Sequence, residues 1–392
     1  MSETQSNTPV ILGCQNIFTE ELNLIHGYRI GLITNHSGVD PLMTATADRL
    51  HNHNKCELTA LFGPEHGIRG SAQDGEKVTT FKDPYTGVPA YSLYGKTMRP
   101  NRNMLNQIDR MLFDIQDVGT RFYTFLYTMS MSMEACASHD IPFIVLDRPN
   151  PIGGEICSGN ILDPRFSSFV GRYPIATRYG LTIGELAKLF NNEFDIGVDL
   201  HVVRMKNWNR SYYWNDCGLP WVPPSPNMPT FQTSIVYPGT CFFEGTNISE
   251  GRGTTKPFEQ IGAPFIDATE LADLLNELNL TGVRFRPAFF TPTSSKHAGA
   301  FCGGVQLHVL DEKNFDPIKV GLASLISIRN LYPDDFLWRL PEGGIHNFDR
   351  LAGTNLIREA IDEGCTTEQL LDSWKLELKS FQKVQETYKI YA

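Results

Sequence analysis

Between Arg29 and Arg148 the chain repeats one pattern, in which a short, uninterrupted apolar run is followed by a longer amphipathic stretch. RIGLIT (Arg29–Thr34), ELTALFG (Glu57–Gly63), RMLFDI (110–115) and PFIVLDR (142–148) read as strands, with helices over 41–55 and 122–139. Runs that do not alternate with polar residues are buried on both faces, and the helices between them supply the cover. Right-handed crossovers then predict an α/β fold, a Rossmann-like, doubly wound and mostly parallel sheet.

The pattern weakens after Pro151. The stretch 151–264 holds a Pro-rich aromatic tract, WVPPSPNMP (221–229), and a helix over 182–194. Loops of this length in a compact protein usually build a site. From 265 the periodicity changes again, to a helix over 268–278, strands over 283–290 and 301–310, and helices over 316–331 and 367–384. Two domains are expected, a Rossmann-like one over 1–264 with long site-forming loops and a smaller α+β domain over 265–392 closing a cleft.

Composition bounds the function. In 392 residues, 34 Lys and Arg face 44 Asp and Glu, and a net charge of −10 argues against a nucleic-acid or anionic-membrane surface. No apolar run approaches the roughly 18 residues of a membrane span. The first residues lack the basic start and apolar core of a signal peptide. The lipobox-like Ile11-Leu12-Gly13-Cys14 is directly preceded by a single apolar residue, Val10, so a buried first strand is the expectation there. This predicts cytoplasmic residence, or periplasmic or secreted residence if a signal has been removed. No two of the eight cysteines form a CxxC pair, and scattered, mostly buried thiols are expected.

Ligands of a doubly wound sheet bind beyond the carboxyl ends of its strands. Those ends carry Asn35 and His36 after the first strand, and Glu65, His66 and Arg69 after the second. Asp114, Asp117, Arg121 and Tyr123 follow the third, and Asp147, Arg148 and Asn150 the fourth. Glu65 stands out, between a proline and a histidine in a loop where glycines let backbone approach a ligand. A carboxyl in a partly closed loop is suited to general acid work, and no helix starts there for Glu65 to cap. Asp117, in a loop, and Asp114, inside an apolar run, compete for a second carboxylate role. Asp147 with Arg148 reads equally well as a structural ion pair. Arg69, Arg121, Arg148 and Arg252 offer guanidinium ends for a substrate carboxylate. Tyr91, Tyr94, Tyr123, Tyr127 and Trp221 offer faces for a sugar, though most such residues are core.

Several chemistries lack their motifs. Tyr94-Gly95-Lys96-Thr97 imitates the end of a P-loop, but Ala90 stands where its first glycine belongs. No G-x-G-x-x-G follows a strand, and neither H-E-x-x-H nor G-x-S-x-G occurs. The expectation is an enzyme without cofactor or metal.

Taken as a set, GLITNHSG (31–38), LFGPEHGIRG (61–70), DIQDVGTRFYTF (114–125), LDRPNPIGG (146–154) and EGTNISEGRGTTKPFEQIGAP (244–264) resemble the NamZ family of bacterial exo-β-N-acetylmuramidases. The resemblance spans nearly the whole chain. It implies a glycoside hydrolase that removes N-acetylmuramic acid from the non-reducing end of peptidoglycan fragments, with saccharides or muropeptides as partners; the alternatives are a β-N-acetylglucosaminidase-type hexosaminidase and a non-catalytic cell-wall-fragment binding protein. It also implies an active site in the cleft between a Rossmann-like and a smaller domain. The family's proposed catalytic glutamate matches Glu65, and Glu244, Glu250 and Arg252 of the last motif join the substrate-binding set. Hydrolysis needs an acid for the leaving oxygen and usually a second carboxylate, here Asp117 or Asp114, unless the substrate's acetamido group is the nucleophile. Arg252 is a fair candidate to select the lactyl carboxylate that distinguishes muramic acid from N-acetylglucosamine.

Overall fold

The structure, a computed structural model, describes residues 9–65, 67–69, 81–340 and 344–392. In chain order its strands are β1 (Arg29–Thr34), β2 (Glu57–Gly63), β3 (Phe81–Lys82), β4 (Pro89–Ser92), β5 (Arg110–Asp114), β6 (Phe143–Leu146), β7 (Ser158–Ile161), β8 (Ala176–Arg178), β9 (Leu200–Val203), β10 (Gln260–Ala263), β11 (Val283–Phe290) and β12 (Cys302–Val309). Seven of them form one sheet in the order β3-β4-β2-β1-β5-β6-β9, parallel throughout except at the β3–β4 edge. The four expected strands are its centre. Both faces are covered as their uninterrupted apolar sequences require: Leu32, Leu61 and Leu112 enter one core, and Ile33, Phe62 and Phe113 the other.

The strands that the periodicity did not reveal are short or lie at the sheet margin. β4 begins with a proline, and β9 at the far edge keeps only Val203 buried, so neither carries a long apolar run. Helix boundaries moved where side chains bind backbone. The expected 41–55 helix shrinks to Thr46–His51, because Asp40 Oδ1 accepts from the Leu42 and Thr44 amides and holds that stretch as a turn. The 367–384 helix is two, Thr367–Ser373 and Lys375–Glu386, broken at Trp374. Helix Ile183–Glu193 begins at a Thr182–Glu185 capping box, and Pro317–Leu331 at Asp316, whose carboxylate caps two amides. The lipobox-like segment is not a strand: Ile11 makes one bridge to Lys206, and a single helical turn, Gly13–Asn16, follows. All eight cysteines are free thiols, six of them buried.

The C-terminal region holds a three-stranded antiparallel sheet, β10-β12-β11. It is joined to the front of the molecule by helix Phe231–Thr240, which packs on helix Pro317–Leu331. Two glycines meet at that crossing. A Cβ on Gly239 would lie 1.8 Å from Pro317 O, and one on Gly321 2.4 Å from Gly239 O. This near contact of backbones fixes where Tyr237, Cys241 and the following turn project. Among the described residues no helix is long and apolar enough to cross a membrane.

Candidate active site

Strand β2 delivers Glu65 through a tight turn. The Gly67 amide donates to Pro64 O at 3.0 Å, and Gly67 takes φ +74°, a region costly for other residues. A Cβ on Gly63 would sit 3.0 Å from the Ile68 amide nitrogen, so the loop folds straight back over the strand end with Ile68 buried. Glu65 is left facing a cavity of about 210 Å³, where the Thr124 hydroxyl donates to its Oε2 at 3.3 Å. Thr124 stands at the start of helix Phe125–Ala137, the crossover after β5. Tyr94 and Tyr123 join the wall from the sheet side, Ser225 and Asn227 from the Pro-rich tract, and Tyr237, Cys241, Glu244 and Arg252 from the segment leading into the C-terminal region.

A second cavity of about 340 Å³ abuts the first, sharing Phe169, Val170, Glu244, Arg252 and Leu351 with it. Glu250, Lys296, Arg339 and Arg350 complete its charged wall. The two form one cleft between the sheet layer and the C-terminal region, of a size suited to a sugar.

Glu244 stands where they meet. It sits in the turn Cys241–Gly245, and Gly245 lets the backbone of Phe348 approach so closely that a Cβ there would be 2.5 Å from Phe348 Cα. Burial raises the Glu244 pKa, Arg252 opposes that shift, and Glu250 adds to it. Arg252 donates to Glu244 Oε1 at 2.8 Å, its Nε lies 3.4 Å from Glu250 Oε1, and its guanidinium covers the Phe258 ring at 5.1 Å. Lys296 Nζ reaches Glu250 Oε2 at 2.7 Å and donates to the carbonyls of Phe243 at 2.6 Å and Thr246 at 3.1 Å. Burial pushes the Lys296 pKa down, while Glu250 holds it up. Its neighbours Ser295 and His297 both adopt positive φ, at 65° and 57°, strain of the kind found where a side chain must be aimed.

Other residues expected at the site are spent on architecture. Arg148 grips both oxygens of Asp114, at 2.6 and 3.0 Å, and donates to Val39 O, deep among buried groups. The Asp147–Arg148 ion pair therefore does not exist. Asp147 instead accepts from the Gly184 amide, the Thr182 hydroxyl and the Tyr391 hydroxyl, tying β6 to helix Ile183–Glu193 and to the C-terminus. Asp117 is buried, holds the Gly119 amide at 2.8 Å and the Tyr179 hydroxyl, and is not among the residues lining the cleft. Desolvation pushes its pKa up to about 7.

Arg121 is fully buried and donates to the carbonyls of Asn160, Ile175, Leu351 and Ala352, the last two ending helix Asn347–Ala352. Arg69 forks onto Asp83 at 2.9 and 2.8 Å and reaches Asp48 at 2.9 Å. Asn150 donates to Leu181 O. Asn35 donates to Pro224 O and His36 Nε2 lies 2.6 Å from Pro223 O. These last two contacts plug the crevice between β1 and β5, the switch point where a doubly wound sheet usually takes its ligand, and leave about 20 Å³ beside it. The cleft lies at the end of β2 instead. His66 lies outside the described residues.

Of the aromatic candidates, Tyr94 and Tyr123 reach the cleft. Tyr91 accepts from Gln107, Tyr127 donates to Arg121 O, and Trp221 donates to Met228 O and packs against Trp214. The sequence reading passes over Lys296, Arg339 and Arg350, isolated basic residues in segments without any motif. The one local signal is the long polar linker between β11 and β12 that holds Lys296. Among the described residues no group of three His, Cys, Asp or Glu side chains is placed to hold a metal.

Residues 30–232 match the family model described as exo-β-N-acetylmuramidase NamZ, N-terminal, and residues 235–391 match its C-terminal counterpart. The chain is 52% identical over 390 residues to the peptidoglycan β-N-acetylmuramidase NamZ of Bacillus subtilis, covering 100% of this chain and 93% of that protein. Two crystal structures of DUF1343 family proteins from Bacteroides fragilis share the fold. One has a TM-score of 0.90 at 37% identity and the other 0.76 at 31%, each covering 98% of this chain and 99% of the other.

Proposed function

The chain belongs to the exo-β-N-acetylmuramidase NamZ family, and from that premise we propose that it releases N-acetylmuramic acid from the non-reducing end of peptidoglycan fragments by acid–base work shared between Glu65 and Glu244. The observation that carries the pairing is that these two carboxylates line one cavity, Glu65 from the loop after β2 and Glu244 from the Cys241–Gly245 turn. Asp114 is committed to Arg148 and Asp117 is buried away from the cleft wall, so the partner sought at the end of the third expected strand comes from the 241–245 turn instead.

In this reading Glu65, at the mouth of the Rossmann layer, gives its proton to the glycosidic oxygen as the bond to the anomeric carbon breaks. Glu244, held by Arg252, serves the anomeric side, by taking the proton of the attacking water or by orienting the substrate's acetamido group. Tyr94 and Tyr123 supply aromatic edges and faces beside the sugar. The tight Pro64–Gly67 turn and the Thr124 hydroxyl hold Glu65 in place without rearrangement when the substrate arrives.

The test is turnover of β-N-acetylmuramic acid glycosides carrying either a poor alkoxide or a good dinitrophenolate leaving group, with wild type, Glu65→Gln and Glu244→Gln. Loss of a general acid costs about 10²- to 10⁴-fold on the alkoxide and far less on the dinitrophenolate, whose departure needs no proton. Glu65→Gln is expected to show that contrast and Glu244→Gln to lose both substrates alike. Equal loss in Glu65→Gln would move the acid role to Glu244. A wild type that binds but never cleaves either glycoside would make the chain a binding protein.

A further inference from the structure

The cleft carries more positive charge than its own carboxylates neutralise. In the larger cavity Arg252 is matched by Glu244 and Lys296 by Glu250. Arg339 and Arg350 line the same cavity, and neither has an ion-pair partner among the described residues. The carboxylate next to Arg350 in the chain, Asp349, turns to Arg358 at 2.9 Å. Two guanidinium groups beyond those that Glu244 and Glu250 match, exposed Arg339 and half-buried Arg350, leave the cavity short of negative charge, a deficit that a bound anion removes.

The backbone that carries each arginine is tied to the turn that bears Glu244. The Arg339 amide donates to Gly245 O at 2.8 Å, in line with the bridge between Trp338 and Thr246. Arg350 lies on helix Asn347–Ala352, whose Phe348 backbone packs against Gly245.

We propose that Arg339 and Arg350 form the subsite that grips the lactyl carboxylate of the muramic acid ring, and so set the preference for N-acetylmuramic acid over N-acetylglucosamine. This rests on the glycosidase reading of the cleft and replaces Arg252 in the selective role. Arg252 is held between Glu244 and Glu250, and a guanidinium engaged by two carboxylates has little left for a third. The lactyl group hangs from the ring carbon two positions from the anomeric centre. The cavity that holds the two arginines adjoins the one that Glu65 faces and shares Glu244 with it, so a substituent on a ring seated beside the two carboxylates is within reach of it. The subsite reads a free carboxylate. Converting that acid to an amide removes the charge and one acceptor, and leaves the arginines without the partner they are arranged for.

The experiment measures kcat/KM of the full chain on three 4-nitrophenyl β-glycosides: N-acetylmuramic acid, its lactyl primary amide, and N-acetylglucosamine. Wild type is compared with Arg339→Gln, Arg350→Gln, the double variant and Arg350→Lys, each checked for an unchanged thermal melt. A lost charge-assisted contact corresponds to roughly 10- to 100-fold. The expected result is a loss of that size in each single variant on the acid substrate alone, carried by KM. Rates on the amide and the N-acetylglucosamine glycoside should change by no more than about threefold, and Arg350→Lys should recover part of the loss. Equal losses on all three substrates, or none on any, would overturn the subsite. If wild type cleaves none of them, the glycosidase reading fails by itself. The subsite is then judged by calorimetry: binding of free N-acetylmuramic acid over N-acetylglucosamine that vanishes in the double variant supports it, and no such difference overturns it.

Discussion

Arg252 donates to Glu244 Oε1 at 2.8 Å, so the arginine that the last motif offers to a substrate is already the partner of a carboxylate in the cleft. The pair sets the protonation of Glu244. Burial and Glu250 push its pKa up, and Arg252 is the largest influence pushing it down.

Arg252→Met should therefore raise the Glu244 pKa. In the proposed mechanism Glu244 acts as the anion, so the acidic limb of the kcat/KM profile moves to higher pH and activity below that limb falls. A limb displaced upward by about one pH unit lowers the ionised fraction below it about tenfold. Rates measured from about pH 4 to about pH 9 decide it. An acidic limb that stays in place would separate Glu244 from the ionisation that limits the rate.

Asp114→Asn should cost stability rather than chemistry. It leaves the Arg148 guanidinium buried with its charge uncompensated, and breaking such a pair costs about 3–5 kcal/mol. Urea unfolding should show the loss, while KM of the folded fraction stays at the wild-type value. A stable variant with a large fall in kcat would return Asp114 to the reaction.

Asp117 gives a pH dependence of known sign. Its folded pKa, raised to about 7 by burial, lies above the value of about 3.9 in an unfolded chain, so the folded state binds the extra proton between the two. Its contribution is present at low pH and is lost as pH rises through about 7, with a slope of at most about 1.4 kcal/mol per pH unit. Asp147, also pushed up to about 7 by burial, acts in the same window. Asp117→Asn should remove one group's share of that slope and leave the Asp147 share. Denaturant midpoints between about pH 4 and about pH 7 report it, and an unaltered slope would mean that Asp117 is already ionised in the fold.

Gly239→Ala tests how the C-terminal region aims the cleft. The added methyl would meet Pro317 O at 1.8 Å, so helix Phe231–Thr240 must move off helix Pro317–Leu331. A loss of about 1–3 kcal/mol is expected for overpacking, with a fall in kcat/KM as Tyr237 and Glu244 shift. Full activity with only a lower melting point would show that the crossing is structural alone.

The sequence by itself determined the central sheet and the short glycine-flanked loop that carries Glu65 off the end of β2. These are local properties. An uninterrupted apolar run such as RIGLIT is a doubly covered strand wherever it folds, and a carboxyl between Gly63 and Gly67 has no helix to cap. Tertiary structure decided the partners. Asp114 and Asp147 stand at strand ends as convincingly as Glu65 does, yet one neutralises a buried arginine and the other caps a helix. Whether a carboxylate or guanidinium faces a cavity or a carbonyl depends on elements that pack against it from far along the chain. That is why Glu244, Lys296, Arg339 and Arg350 meet in one cleft, while Arg121 is consumed by four backbone carbonyls. It is also why the usual ligand crevice between β1 and β5 is filled: only the folded Pro-rich tract brings Pro223 and Pro224 onto His36 and Asn35.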